Sequence, residues 1–299
     1  MIRLSFSIEL RYEIAGTPAD FVFNVHAAHT PWQAVVIEVL TITPPLGQRM
    51  HVDPVLGNRY LHLRAGPGPL SVRYDATVDI DHHRTAPATI EELAIAEIPP
   101  QVLPYIYPSR YCQSDRLRRM ATREFGHLRQ GYWRVQAIQD WVRNRTAFTP
   151  GSTNSSTAAV DTLVEQVGVC RDFAHLMIAL CRAVNIPARF VTGIDYGAAV
   201  ELGLPDFHAY VEVFLGDRWY LFDPTGITAP MGLVRIGTGR DAADVSFATM
   251  FGDVRSQAPI ITVAALDDRA NGYELPHHST EALSTSAETP RAPATLIAA

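Results

Sequence analysis

Cysteine is scarce in this sequence, and long apolar runs are missing. Only three cysteines occur among 299 residues, an odd and sparse set that does not resemble the disulfide framework of a secreted domain. No run approaches the ~20 apolar residues of a membrane-spanning helix. The first residues, MIRLSFSIELRYE, alternate polar and apolar side chains, unlike a signal peptide. These absences predict a soluble, cytoplasmic protein with free thiols and no membrane partner.

Positive charge is not in excess either. The formal net charge is −6 and the pI is about 6.0, which excludes a general electrostatic attraction to nucleic acid or to an anionic membrane. The sequence also lacks the acidic clusters that are typical of calcium sites. We therefore expect no cofactor and no nucleic-acid partner, and we make no prediction of the oligomeric state.

The first part of the chain has the pattern of β structure. Its apolar residues recur with period two, which indicates half-buried strands, and the turn-forming segments TPPLGQ and AGPGPL separate them. Many short strands without helices between them predict a sandwich or an open barrel. Residues 1–83 are therefore predicted to form an N-terminal β-sandwich-like domain. The alternating apolar residues are Leu4, Phe6, Ile8, Leu10, Val72, Tyr74, Ala76, Val78 and Ile80.

Residues 84–115 contain many prolines, which interrupt regular structure and indicate a connector. Helical spacing follows, with a helix capped by Ser114 or Asp115 and a second helix whose inner face carries Val135, Ile138 and Val142. Further on, three strand-like segments, ARFVTGI, FHAYVEVFL and RWYLFDP, succeed the helices. Helices followed by a sheet predict an α+β domain, to which we assign residues 116–265. Residues 266–299 contain few large apolar side chains and are predicted to be a disordered tail that folding does not require.

Cys170 stands at the start of an apolar helix in the stretch GVCRDFAHLMIALCRAVNIPARF. Apolar residues surround this helix, so it should lie at the centre of its domain. The first turn of a helix presents unpaired backbone N–H groups and the positive end of the helix dipole, which favour a thiolate. Free cysteines are nevertheless often small buried core residues, so the position alone leaves both interpretations open.

The strands FHAYVEVFL and RWYLFDP flank Gly216-Asp217, a plausible two-residue hairpin turn. That register pairs Leu215 with Arg218 and sets Asp223 opposite Tyr210. Because side chains alternate along a strand, His208 then shares a face with Asp223 as its diagonal neighbour. A base that holds a thiolate and an acid that orients the base are the partners a cysteine nucleophile needs. A structural histidine and an Asp-Pro turn are the alternatives.

Two segments carry a specific resemblance. GVCRDFAHLMIALCRAVNIPARFVTG and DFHAYVEVFLGDRWYLFDPTG resemble the core of the transglutaminase-like superfamily, whose fold is related to that of papain-like cysteine proteases. YPSRYCQSD, GTGRDAADVSFATMFG and the β-rich first domain resemble the bacterial branch with a dedicated N-terminal β domain. The resemblance implies an α+β, papain-like catalytic core preceded by an all-β domain.

The resemblance also implies roles for three residues: Cys170 as nucleophile, His208 as general base and acid, and Asp223 as the group that orients the imidazole. It implies a peptide or protein amide substrate. Hydrolysis by a cysteine peptidase or amidase is the favoured reaction, with cross-linking by a transglutaminase and a non-catalytic scaffold as alternatives. A metal site built from Cys170, His175, Cys181 and His208 is disfavoured because these residues lack the close pairing of ligands.

The sequence departs from animal transglutaminases in one respect, because residues 142–169 lack the tryptophan that helps stabilise the oxyanion there. The backbone N–H of Cys170 can supply one donor. A polar side chain between Ser152 and Thr157, or Gln113, is a candidate for the second. Cys112 and Cys181 are expected to be structural, and Asp172 and His175 are expected to support the helix.

Overall fold

The computed structural model describes residues 1–198 and 205–289. In these residues the chain forms an all-β N-terminal domain and an α+β domain, as predicted. No helix in the described part of the chain is long and apolar enough to cross a membrane.

The N-terminal domain consists of two antiparallel sheets that face each other. Strands β1, β6 and β3 lie side by side in one sheet, and β2, β5 and β4 lie side by side in the other. Along β1 and β6 the residues of one face are buried and their neighbours are half-buried or exposed, which confirms the predicted alternation. The strands are β1 (Ile2–Ile14), β2 (Ala19–Phe23), β3 (Gln33–Thr43), β4 (Gln48–Val52), β5 (Arg59–Ala65) and β6 (Gly68–Ile80).

The segment between the domains contains the short strand β7 (His83–Thr85) and three 3-10 helices, Pro87–Thr89, Ile95–Glu97 and Leu103–Ile106. It is irregular, as its prolines predict, but it is firmly attached to the α+β domain. The buried carboxylate of Glu92 pairs with the buried guanidinium of Arg134, and Tyr105 meets the ring of Trp219 edge-on at 5.1 Å. The connector therefore forms part of the packed interior.

The α+β domain begins with helices and continues with a four-stranded antiparallel sheet of order β12-β11-β10-β13. The helix that starts at Cys170 is buried from Asp172 through Ala183. The elements are α1 (Ser114–Phe125), α2 (Tyr132–Arg145), β8 (Ala147–Phe148), α3 (Ala159–Glu165), β9 (Val167–Gly168), α4 (Cys170–Ala183), β10 (Ala188–Asp195), β11 (Phe207–Leu215), β12 (Arg218–Phe222), the 3-10 helix Pro230–Gly232, and β13 (Leu233–Gly239).

The sheet of the α+β domain is covered on both faces. Ala209, Val211 and Val213 of β11 belong to the apolar cluster around α4. Tyr210 of β11 and Val191 of β10 belong instead to the cluster that contains the core of the N-terminal domain. The N-terminal domain thus supplies the second covering layer of this sheet, and its removal would expose apolar surface.

Three strands late in the chain return to the N-terminal domain. β14 (Ala248–Phe251) pairs with β2, while β15 (Val254–Ser256) and β16 (Ile260–Ala265) both pair with β1. The range 116–265 assigned to the α+β domain therefore includes strands that complete the first domain. Pairing between segments more than 200 residues apart leaves no mark in the local pattern of the sequence.

The prediction of a disordered tail is wrong for residues 266–289. After the 3-10 helix Arg269–Asn271, strand β17 (Ala282–Ser284) pairs with β7, and Ala282 to Ser286 are buried. The hydroxyl of Ser286 accepts hydrogen bonds from Arg189 at 3.2 Å and from Arg235 at 2.9 Å. Small polar residues can thus be ordered by strand pairing and buried charges, which a criterion of apolar content overlooks. The rest of the predicted tail, 290–299, lies outside the described residues.

Candidate active site

Cys170 is the first residue of α4, and two neighbours determine how that helix begins. The backbone of Val169 is extended, and its N–H donates to the Asp172 carboxylate at 2.9 Å. Asp172 also accepts a hydrogen bond from the Thr153 hydroxyl at 2.6 Å. A Cβ at Gly168 would stand 2.7 Å from the Cβ of Asp172, so glycine permits this close approach. Asp172 therefore supports the start of the helix, as expected.

The hairpin has the predicted register. Leu215 pairs with Arg218 and Val211 with Phe222, so the next residue, Asp223, comes level with Tyr210. Gly216, in the turn, has a φ of +61°, a conformation that glycine adopts without strain. The two-residue turn is thus confirmed, and it brings the side chains of His208 and Asp223 together.

His208 Nε2 lies 3.3 Å from Asp223 Oδ2, and both side chains are almost completely buried. The two atoms are close enough for a charge contact but are not aligned as a hydrogen bond. Thr225 donates to the other oxygen, Oδ1, through its N–H at 3.0 Å and its hydroxyl at 2.6 Å. The Asp223 carboxylate is therefore held in place from two sides.

Charge and burial compete at this pair. Burial acts to lower the pKa of His208, but the Asp223 carboxylate and the Cys170 thiol overcome it, so the pKa of His208 is raised well above its ordinary value. For Asp223, burial acts to raise the pKa, but the charge of His208 and the hydrogen bonds from Thr225 lower it. The site therefore favours an imidazolium paired with a carboxylate.

The thiol of Cys170 meets the hairpin at the start of β11. Its Sγ lies 3.7 Å from the carbonyl oxygen of Phe207, the residue before His208. His208 is two residues before Tyr210 on β11, so its side chain lies on the same face of the sheet, toward the N-terminal domain. Helix α4 packs on the opposite face. The cysteine and the histidine therefore meet at the end of the sheet rather than across one of its faces.

Two cavities adjoin Cys170, Phe207 and His208. One has a volume of about 400 Å³ and the other a volume of about 520 Å³. Cavities of this volume are typical of sites that hold a small ligand or part of a larger one. Val263 of β16 lines the first cavity, so a strand of the N-terminal sheet contributes to the wall. The first cavity is also lined by Phe148, Pro150, Asp195 and Ile227, and the second by Tyr111, Asn154, Phe190 and Phe247.

Asp195 lines the first cavity and was not identified from the sequence. It is the last residue of β10, whose Gly193 pairs with His208. Side chains two residues apart on a strand share a face, which brings Asp195 to the face of His208. β10 and β11 are joined by 11 residues, 196–206, so no short turn fixed their register in advance. Asp195 could have been identified from the sequence only if the pairing of β10 with β11 had been known.

The candidate second oxyanion donors have other partners. Gln113 accepts a hydrogen bond from Val160 N–H at 3.4 Å and lines neither of the two cavities, so this candidate is wrong. Ser152 donates its hydroxyl to Thr149 O at 2.7 Å, and Thr153 donates its hydroxyl to Asp172. Asn154 lines the larger cavity and uses its Oδ1 as an acceptor for Ser156, which leaves its amide NH2 as a donor group.

The remaining cysteines and His175 lie in the interior. Cys112 and Cys181 are fully buried, and burial raises the pKa of both thiols, to about 12 for Cys112. The His175 ring stacks on Tyr111 at 4.9 Å, and its Nε2 accepts the N–H of Ala242 at 3.2 Å. Burial lowers the pKa of His175 well below its ordinary value, so it is neutral. Within residues 1–198 and 205–289 we find no cluster of three or more His, Cys, Asp or Glu residues that could hold a metal ion.

Comparison with known families finds matches in two parts of the chain. Residues 119–224 match the transglutaminase-like superfamily core, and residues 2–101 match the N-terminal domain of bacterial transglutaminases. A crystal structure from Cytophaga hutchinsonii, described as "a Putative Cysteine Protease", is 38% identical with a TM-score of 0.86, and the alignment covers 95% of this chain and 97% of that one. The chain therefore belongs to the transglutaminase-like superfamily, in the bacterial group that carries this N-terminal domain.

Curated relatives match over a shorter stretch. The uncharacterized protein ML0607 of Mycobacterium leprae is 32% identical over 120 residues, which cover 38% of this chain and 42% of ML0607. The uncharacterized protein Rv2569c of Mycobacterium tuberculosis is 34% identical over 125 residues, which cover 37% of this chain and 40% of Rv2569c. The chain thus spans about two fifths of the length of these relatives.

Proposed function

We propose that the protein is a cysteine-dependent enzyme that hydrolyses peptide or amide bonds through Cys170, His208 and Asp223. The observation that carries the proposal is the position of Cys170 at a helix start, in contact with the Phe207 carbonyl and lining the same two cavities as His208 of the buried His–Asp pair. Membership of the transglutaminase-like superfamily supports thiol chemistry in general, and the name of the C. hutchinsonii protein supports peptides as the class of substrate.

In the first step the Cys170 thiolate attacks the carbonyl carbon of the amide. The electron pair of the C=O bond moves to the oxygen, and a tetrahedral intermediate forms. When the C=O bond is restored the C–N bond breaks, and the departing nitrogen takes a proton from the His208 imidazolium. The products are a thioester, a free amine and a neutral imidazole. Asp223 stabilises the imidazolium and keeps its ring oriented.

In the second step water attacks the thioester carbon while neutral His208 accepts a proton from it. The C–S bond then breaks, the carboxylic acid leaves, and the thiolate–imidazolium pair is restored. If an amine attacks instead of water, the same residues perform transamidation, so both outcomes share this site. We favour hydrolysis because water needs no further binding site.

The oxyanion requires hydrogen-bond donors at the start of α4. The backbone N–H of Cys170 is one, because the first N–H groups of a helix have no partner inside the helix. We propose the side-chain amide of Asn154 as the second. It stands in the loop that Asp172 and Arg171 hold against α4, since the Arg171 guanidinium donates to Asn154 O at 2.7 Å.

Selective alkylation tests the nucleophile without a known substrate. With less iodoacetamide than protein, Cys170 should take up nearly all the label in peptide mapping by mass spectrometry, while the buried Cys112 and Cys181 serve as internal controls. His208→Ala should slow the labelling of Cys170 by at least about tenfold at neutral pH. Equal labelling of the three thiols, or an unchanged rate in His208→Ala, would contradict the proposal and favour a non-catalytic scaffold.

A further inference from the structure

Strand β16 (Ile260–Ala265) lies at an edge of the first sheet of the N-terminal domain. One side of β16 pairs with β1, and among the described residues no strand pairs with its other side. An edge strand presents a row of backbone N–H and C=O groups that have no partner within the sheet. Such a row can pair with an extended chain that is added from outside.

The register of β16 shows which of its residues form this row. In an antiparallel pair, the backbone groups of successive residues face the neighbouring strand and the opposite side in turn. The N–H of Leu266 donates to Arg3 O at 3.0 Å, so Leu266 faces β1. By alternation, the N–H and C=O groups of Ile261, Val263 and Ala265 point away from β1, toward the open edge.

Val263 connects this row to the candidate active site. It is half-buried and lines the cavity of about 400 Å³ that Cys170 and His208 also line. It also borders a cavity of about 390 Å³ on the outer face of the sheet, together with the exposed Thr262 and Ala264. The open edge at Val263 is therefore continuous with the space in front of the thiol.

A proline stands at the other end of the row. Counting back by two from Ile261 places Pro259 at an outward position, where the missing N–H costs no hydrogen bond to β1. Proline at such positions is one way in which proteins prevent pairing along an edge strand. The start of β16 is thus protected, whereas the N–H of Val263, beside the cavity of Cys170, remains available.

We propose that β16 binds the backbone of an extended peptide substrate as an added strand, through the N–H and C=O groups of Val263. Pairing of main chains supplies affinity that does not depend on side chains, and the same peptide continues across the cavity to Cys170. The inference rests on the proposed function and names its substrate class. That class is an extended segment of a polypeptide rather than a small isolated amide.

Two alkylating peptides test the pairing. Iodoacetyl-pentaalanine amide and iodoacetyl-alanine amide carry the same reactive carbon, whose C–I bond breaks as Cys170 Sγ forms a C–S bond. Only the longer probe, which extends over about 17 Å, can span the cavity as far as Val263. At low concentration it should label Cys170 at least about tenfold faster than the short probe. Acetyl-pentaalanine and acetyl-alanine chloromethyl ketones repeat the comparison with the opposite chain direction.

Val263→Pro removes the outward N–H and leaves the hydrogen bonds between β16 and β1 intact, as the native Pro259 does two steps earlier. It should lower the ratio of the long-probe rate to the short-probe rate by about fivefold. Val263→Ala retains the N–H and is the matched control, so it should keep most of the ratio. The short probe corrects for any change in the reactivity of the thiol itself, and thermal unfolding verifies the fold.

N-methylation of the long probe tests the same pairing without a variant. In an added strand only every second residue turns its N–H toward β16. Replacement of the alanines by N-methylalanine, one at a time, should therefore slow the labelling at alternate positions. An equal effect at all positions, or no effect, overturns the inference even if Val263→Pro does not fold.

The remaining outcomes are distinct. Equal labelling by long and short probes in both chain directions overturns the inference, as does an advantage of the long probe that persists in folded Val263→Pro. A dimer in sedimentation that Val263→Pro dissociates would assign the edge to a second copy of this chain and would also overturn it. Failure of Cys170 to react preferentially with the short probe contradicts the proposed function instead.

Discussion

The two domains differ in what they bury. The N-terminal sandwich buries mainly apolar and aromatic side chains, such as Phe21 and Phe23, whose rings stack at 5.5 Å. The α+β domain also buries carboxylates, among them Asp223 and Glu212. The ionisable groups buried in the sandwich are instead histidines, His26 and His82, and burial lowers the pKa of each to about 4. Glu212 lies between the guanidinium groups of Arg189 and Arg235, and the His208–Asp223 pair adjoins the cavities. Buried carboxylates therefore mark the region where we propose chemistry.

The largest expected effect concerns the reacting groups. Cys170→Ser should lower turnover by roughly 10,000-fold or more, since a hydroxyl is harder to ionise than a thiol, and His208→Ala should be comparably severe because it removes the base and the proton donor. Asp223→Asn should cost less than either change, by roughly 10- to 100-fold, because it weakens the orientation of the imidazole without removing a reacting group. Acyl-enzyme formation and turnover on a substrate found by a peptide screen are the measurements.

These three residues should act as a unit. Combining Cys170→Ser with Asp223→Asn should therefore add little to the loss caused by Cys170→Ser alone. All variants should remain folded, as circular dichroism and thermal unfolding can verify. Near-wild-type turnover by Cys170→Ser or His208→Ala would contradict the chemistry that we propose for the α+β domain.

The contribution of buried apolar side chains to stability can be tested in the N-terminal sandwich. Phe21→Ala should lower the free energy of unfolding by about 4 kcal/mol, because it removes a buried ring and leaves a cavity. Val22→Ala, at the next position of β2 and on the half-buried face, is the matched control and should cost about 1 kcal/mol or less. Denaturant unfolding measures both. If Val22→Ala lowered the free energy of unfolding as much as Phe21→Ala, the alternation of buried and half-buried residues along β2 would not determine stability.

A smaller effect is expected from the end of the chain. Compared with a chain that ends at Thr289, one that ends at Glu281 loses β17, including buried Leu283, and the hydrogen bonds of Ser286 to Arg189 and Arg235. We expect a loss of about 2 to 3 kcal/mol from the burial of Leu283 alone. Unchanged stability would show that the segment after Glu281 is dispensable for folding. The buried arginines Arg189 and Arg235 would then not need the hydrogen bonds of Ser286.

Local patterns predicted the parts of the site that are close in sequence. The apolar residues around α4 and the position of Cys170 marked a buried helix and its first turn. The Gly216-Asp217 turn set the register of β11 and β12, because two residues permit only one pairing of the flanking strands. The catalytic roles of the three residues stay predictions, as does the cytoplasmic location.

The sequence by itself thus determined the alternating strands of the sandwich, the helix that begins at Cys170 and the hairpin that carries His208 and Asp223, since each depends on residues close together in the chain. Only the tertiary structure decided that Cys170 meets His208 at the end of the sheet and that Asp195 joins them through the pairing of β10 with β11. It also decided that β14 to β16 complete the first domain and that β17 is ordered. These contacts join segments separated by long loops, where the match of buried surfaces across the whole fold selects the partners.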